Sequence, residues 1–134
     1  MRRALAPLSL VLACALLVAP APVLANEGKK EEKVVTYFAL QPLTAVAIRR
    51  DGRRGVLTLE AGIEAKDPHL MERAQQSMPR LRSAFAQVLM TYAAGMRPGT
   101  PPDVEYLGRE LQKTCDKVLG KPGSKVLLGS ALMN

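Results

Sequence analysis

The pattern of hydrophobic and polar positions after residue 33 begins with two β-rich runs. Val34–Phe38 and Leu43–Ile48 are rich in β-branched and aromatic residues, and Pro42 stands between them. Proline lacks the amide hydrogen of a strand ladder, so a strand tolerates it at an edge or a bulge. We interpret the two runs as one long, interrupted strand.

An antiparallel hairpin is predicted over Leu43–Lys66. Asp51-Gly52 is a turn signal, and beyond it apolar and polar residues alternate up to Ala65. Successive side chains of a strand point to opposite faces of the sheet. One face therefore meets the core, and the other is expected to face water; the water-facing set is Thr58, Glu60, Gly62 and Glu64.

A helical period replaces the alternation after Asp67-Pro68, an N-cap followed by proline at the first helical position. Apolar residues recur at steps of three and four from Leu70 to Tyr92, which predicts one core-facing stripe. Pro79 interrupts it, so we expect a kink or break near Ser77–Met78. Gly95 ends the segment.

The last third of the chain predicts a second helix and a final strand. Thr100–Asp103 resembles a capping box, and Gly120 stops the helix. Ser124–Met133 is apolar on both faces, as an inner strand would be. The core face of the helix is expected to consist of Val104, Leu107, Leu111, Cys115, Val118 and Leu119.

This order of elements predicts an α+β fold. An antiparallel sheet, made of the N-terminal hairpin and the C-terminal strand, would carry a Pro-kinked helix and a second helix on one face. We assign this domain to residues 34–134.

The N-terminal segment has the anatomy of an export signal. Arg2 and Arg3 precede an uncharged apolar run, and Val23-Leu24-Ala25 offers small residues for cleavage. Residues 1–25 are therefore interpreted as a signal peptide, with an uncleaved membrane anchor as the alternative and lipoprotein processing at Cys14 as a third route. Residues 26–33 contain no apolar side chain and are expected to form a flexible tether. The domain would lie in the periplasm, or at the outer face of the inner membrane if the anchor is retained.

The net charge of the chain indicates which chemical classes of partner to expect. Without Arg2 and Arg3 of the leader, 17 of the 19 basic residues remain against 12 acidic ones, which gives a net charge of +5. Outside the cytoplasm, a basic domain of this kind favours lipid headgroups or acidic protein faces over nucleic acid. A protein partner is expected, and a membrane surface and a homo-oligomer stay open.

No residue cluster in the sequence predicts catalysis, a metal site or a cofactor. Cys115 falls on the apolar side of a helix, and His69 has no second ligand at metal spacing. Glu60 and Glu64 share a solvent face, and Gly120–Lys125 follows a helix, whereas a phosphate loop follows a strand. We expect a protein that is not an enzyme.

Four arginines surround the predicted turn at Asp51-Gly52. Guanidinium groups suit bidentate pairing with carboxylate or phosphate, so this tip is the candidate contact with a partner or headgroup; a solvated turn is the alternative. The candidate residues are Arg49, Arg50, Arg53 and Arg54.

The stretch from Tyr37 to Met133 resembles the periplasmic domain of the flagellar basal-body-associated protein family, FliL. The matching segments are Tyr37–Leu43, Leu57–Glu64 ending at Asp67, Met78–Ala84 around its proline, and Leu107–Leu111. The resemblance implies a domain similar to the stomatin and prohibitin type. It also implies assembly beside the stator units of the flagellar motor and modulation of motility.

The chain departs from the family pattern at both ends. Only two arginines precede the apolar run, where the family keeps a cytoplasmic segment and a transmembrane helix, and the final strand lacks aromatic residues. The expected function is therefore a non-enzymatic accessory protein of the flagellar basal body. The alternative is an envelope adaptor unrelated to motility that binds anionic surfaces through its arginine hairpin, and a small enzyme is the third class.

Overall fold

A computed structural model describes residues 34–134, and within them it contains three helices and a four-stranded antiparallel sheet. The predicted α+β class is confirmed. The leader (residues 1–25) and the tether (residues 26–33) lie outside the described residues. The elements are β1 (Tyr37–Ala39), β2 (Leu43–Ile48), β3 (Arg54–Ala65), α1 (Pro68–Gln76), α2 (Met78–Gly95), α3 (Val104–Leu119) and β4 (Ser124–Met133).

The central strand of the sheet is β3, which pairs antiparallel with each of the other three strands. Leu59 is paired with both Leu43 of β2 and Ala131 of β4, and Ile63 with both Phe38 of β1 and Val126 of β4. A strand has only two edges, so β1 and β2 lie one after the other along the edge opposite β4. The interrupted strand is therefore confirmed, although it begins at Tyr37 and leaves Val34 and Val35 exposed.

The prediction that Ser124–Met133 forms an inner strand is wrong. Within the described residues β4 pairs with β3 alone and so forms an edge of the sheet. Its residues are mostly half-buried or exposed, and Leu132 is exposed on the face away from the helices. The long apolar run of β4 therefore reflects packing under α3 on one face and an exposed apolar surface on the other.

The alternation in β3 has the predicted effect on its inward side. Leu57, Leu59 and Ile63 are fully buried. Full burial of side chains of this size contributes about 1.5–3 kcal/mol each. On the opposite side the expectation fails at Gly62, which is buried. The ring of Tyr37 lies over this glycine, in the space that a Cβ atom would occupy.

The predicted break in the first helical segment is confirmed at Ser77. α1 ends at Gln76 and α2 begins at Met78, with Pro79 in its first turn. Asp67 caps α1 as predicted, since its side chain accepts a hydrogen bond from the backbone N–H of His69 at 2.9 Å. α2 packs along β2 through a stripe that includes three fully buried side chains, Leu81, Phe85 and Leu89.

The start of α3 differs from the predicted capping box. The N-cap is Asp103, whose carboxylate accepts from Tyr106 N–H at 2.9 Å, while the Thr100 hydroxyl donates to the Arg97 carbonyl. Val104 is 41% exposed and does not belong to the core face. The face is otherwise as predicted, with Val118 half-buried and four residues fully or almost fully buried: Leu107, Leu111, Cys115 and Leu119.

Candidate functional site

The turn between β2 and β3 presents the four predicted arginines at one end of the sheet. Gly52 N–H donates to the Arg49 carbonyl at 2.9 Å, and Arg49 N–H donates to the Arg53 carbonyl at 2.8 Å. Gly52 has a φ of 77°, the left-handed conformation that glycine adopts without strain. Asp51 fixes the turn by accepting from Arg53 N–H at 3.0 Å. Because the hydrogen bond between Arg49 and Arg53 closes the turn, the loop proper consists of the three residues 50–52. Gly52 occupies the bulge position that is typical of a three-residue hairpin loop.

The structure separates the four arginines into two pairs. The stem of Arg49 lies across Gly55, and the stem of Arg50 lies against Gly99 in the loop between α2 and α3. Both stems therefore have a packing surface, while both residues stay exposed overall. Arg53 and Arg54 are exposed too, but they do not line the space between the turn and that loop.

Arg49 and Arg50 line a groove of about 390 Å³ together with a third arginine, Arg97. Among residues 34–134, no acidic side chain lines it. None of the three ion pairs within residues 34–134 involves an arginine at this end of the domain. We call this space the arginine groove, and it is lined by Ile48, Arg49, Arg50, Met96, Arg97, Gly99, Thr100, Pro101, Pro102 and Met133.

A second groove of about 650 Å³ adjoins the first and shares Met96, Arg97, Thr100 and Pro101 with it. Its wall carries Tyr92 and Tyr106, whose rings stack with centroids 5.7 Å apart. The Tyr92 hydroxyl accepts from Asp103 N–H at 2.6 Å, which ties the end of α2 to the start of α3. Arg97 thus lies where the arginine groove meets a second groove that carries two stacked tyrosine rings.

The cysteine and the histidine of the described residues, Cys115 and His69, do not line the arginine groove. Cys115 is fully buried, and burial raises the pKa of its thiol. Its Sγ lies 3.3 Å from the Ser124 hydroxyl oxygen. His69 is exposed in the first turn of α1, after the end of β3 that is remote from the hairpin turn. The structure does not bring Cys115 or His69 to the arginine groove.

Within residues 34–134, no group of three His, Cys, Asp or Glu side chains is placed to hold a metal ion. Among the same residues, no helix combines the length and apolar character that a membrane span requires. Glu60 lies over Gly129 of β4, and its carboxylate is 3.4 Å from Ser130 N–H. The Glu60 carboxylate therefore accepts a hydrogen bond where the pairing of β3 with β4 shifts register.

The sequence matches no protein-family model and no curated protein. A functional proposal for this chain therefore depends on the geometry of its own residues and on the resemblance stated above.

The sequence alone identifies Arg49 and Arg50 but not Arg97. Arg97 is far from the turn in sequence, and only the packing of the α2–α3 loop against the hairpin brings the two together. The stacking of Tyr92 on Tyr106 is also not predicted, because the helical period of Tyr92 indicates which face it occupies and not which residue it meets. No local signal in the sequence marks either feature.

Proposed function

We propose that residues 34–134 form a non-enzymatic association domain that binds an acidic group of a protein partner at the arginine groove. The observation that carries this proposal is the convergence of Arg49, Arg50 and Arg97 on one groove that no acidic side chain of residues 34–134 lines. Guanidinium groups bind carboxylates through paired, charge-assisted hydrogen bonds. The packed stems of Arg49 and Arg50 reduce the side-chain freedom that binding would remove.

The resemblance to the FliL family suggests a specific partner. On that basis the protein is an accessory component of the flagellar basal body, located in the periplasm or at the outer face of the inner membrane, and it associates with the stator to modulate motility. The α+β architecture is compatible with such a role. Because one fold hosts many functions, the proposal depends on the partner and not on the architecture.

The test uses the full chain in its native host. Replacing Arg49, Arg50 and Arg97 together with Gln should reduce the recovery of stator proteins with the tagged protein by about tenfold, or about 1.4 kcal/mol. Replacing Arg53 and Arg54 with Gln is the matched control, since those side chains do not line the groove. Unchanged recovery with the triple variant would refute the role of the groove.

Motility separates the flagellar role from a general one. Deletion of the gene should alter swimming, and the triple variant should reproduce the deletion phenotype. Normal swimming in the deletion strain, together with no recovery of stator proteins from wild-type cells, would refute the flagellar role.

A second candidate function is binding to an anionic membrane surface as an envelope adaptor. The four arginines of the turn and Arg97 are all exposed at this end of the domain, and basic clusters are attracted to anionic lipid. Vesicles of phosphatidylglycerol should then retain the protein, and vesicles of phosphatidylcholine should not. In that case the Arg53 and Arg54 variant should lose retention as well, because surface attraction depends on total charge and not on the groove.

A further inference from the structure

We propose that the free edge of β2 binds an extended segment of a partner protein as an added strand, and that acidic residues flank the apolar middle of this segment. The proposal rests on the proposed function, because it specifies how the acidic partner is bound. Strand addition of this kind derives affinity from backbone hydrogen bonds and selectivity from alternate side chains.

The backbone of β2 has unpaired groups on its outer side. Arg49 N–H donates to the Arg53 carbonyl, which fixes the register and directs the backbone groups of the odd-numbered residues of β2 toward β3. The backbone N–H and C=O groups of Thr44, Val46 and Ile48 therefore point away from the sheet. Within the described residues they have no hydrogen-bond partner.

The other edge of the sheet is closed where β4 begins. The side-chain amide of Gln112 accepts from Val126 N–H at 2.8 Å and donates to the Ser124 carbonyl at 2.9 Å. It occupies the positions that a neighbouring strand would use. Exposed strand edges are commonly protected in such ways, and β2 has no comparable cover within residues 34–134.

The side chains along the β2 edge suit an extended apolar segment. A groove of about 410 Å³ runs along it and is lined by Thr44, Ala45, Val46, Val56 and Met90. Val46 is 60% exposed and Met90 is 47% exposed. β-branched residues pair well across neighbouring strands, so a segment with alternating valine and threonine would complement this surface.

Charge favours an acidic partner over a second copy of this chain. Arg49 and Arg50 follow one end of β2, and Arg82 of α2 lies at the other end, where it donates to the side chain of Gln41. An antiparallel pairing of two copies through β2 would place the turn arginines of each beside Arg82 of the other. Like charges in register are unfavourable, whereas acidic residues at both ends of a segment would meet arginine.

The test measures binding of the peptide Asp-Glu-Thr-Val-Thr-Val-Thr-Asp-Glu to the full chain, with a lysine-flanked peptide as the control. The acidic peptide should bind at least about tenfold more tightly. Val46→Pro removes an outward N–H without removing a bond to β3, and should reduce binding to the level of the control peptide. Val46→Thr keeps the amide hydrogen and should retain binding.

Amide hydrogen exchange provides a second measurement that needs no variant. Bound peptide should slow exchange at Thr44, Val46 and Ile48 and leave Val126 unchanged. Absence of peptide binding at millimolar concentration, or binding without added protection at these three amides, would overturn the proposal. Self-association of the wild type that Val46→Pro removes would also overturn it, in favour of a second copy.

Recovery of stator proteins with the triple arginine variant and with Val46→Pro distinguishes binding at the arginine groove from strand addition at β2. If the triple arginine variant loses stator recovery while Val46→Pro retains it, the groove binds the partner and strand addition is wrong. If both variants retain recovery, the proposed function fails as well.

Discussion

Gln112 closes the outer edge of β4 by pairing with the backbone around Val126. Its Oε1 accepts from Val126 N–H at 2.8 Å, and its Nε2 donates to the Ser124 carbonyl and to Asp116 Oδ1, each at 2.9 Å. One side-chain amide therefore joins α3 to the last strand. The half-buried position of Gln112 makes these bonds more costly to lose than bonds in open water.

Replacing Gln112 with Ala should destabilise the domain by about 1–3 kcal/mol, because Val126 N–H and the Ser124 carbonyl lose their partner. Denaturant unfolding measures the change, and amide exchange at Val126 should accelerate. Gln87→Ala on α2 is the matched control, since Gln87 is exposed and its side chain has no hydrogen bond within residues 34–134. Equal stability of the two variants would contradict the role assigned to Gln112.

Tyr37 and Gly62 should be energetically coupled. The tyrosine ring covers the glycine, so Gly62→Ala forces the ring to move, and Tyr37→Ala uncovers the backbone of β3. Each single substitution should lower the free energy of unfolding by about 1 kcal/mol or more. The double variant should be more stable than the sum of the two changes predicts, because the clash needs both side chains. A double-mutant cycle by thermal unfolding measures this coupling, and strict additivity would argue against the contact.

Much of the fold could be predicted because its signals are local. The alternation from Leu57 to Ala65 defines the inner face of β3, and Asp67-Pro68 marks the start of α1. Pro79 marks the break between α1 and α2 because a proline ring clashes with the preceding turn.

The predictions from sequence are wrong where the burial or pairing of a residue depends on another element of the fold. Gly62 is buried by Tyr37, a residue on another strand, and β4 is an edge because nothing pairs beyond it within residues 34–134. The candidate site likewise has one part that a local signal marks and another part that depends on tertiary packing. Arg49 and Arg50 could be named from a turn signal, whereas Arg97 joins them only through the packing of a distant loop.

Asp67 should make stability depend on pH in the acidic range. Its pKa is lowered, first because its carboxylate accepts from His69 N–H, and further by Lys121, whose Nζ lies 3.4 Å away. A lowered folded-state pKa means that this contribution is present above the unfolded pKa of about 3.9 and is lost as pH falls through the folded value.

Asp67→Asn keeps a capping oxygen and removes the titration, so its unfolding temperature should change less between neutral and acidic pH than that of the wild type. Asp67→Ala should lower the unfolding temperature at neutral pH, because the cap is lost. A wild type and Asp67→Asn variant with parallel pH profiles would contradict this assignment.

Cys115 should produce a pH dependence at the alkaline end. Burial raises the pKa of its thiol, and the nearby Asp116 carboxylate acts in the same direction, while the hydrogen bond with Ser124 opposes them. Above the ordinary thiol pKa of about 8.5, the unfolded chain releases the proton while the folded chain keeps it. The unfolded state then binds fewer protons, so the free energy of unfolding falls as pH rises.

Cys115→Ala removes this titration, and the stability advantage of the wild type over the variant should therefore shrink above that pH. Denaturant unfolding of both proteins at a series of pH values measures the difference in their free energies of unfolding. A difference that is independent of pH would show that the thiol does not contribute, because a group that titrates only in the unfolded chain must change the stability of the wild type alone.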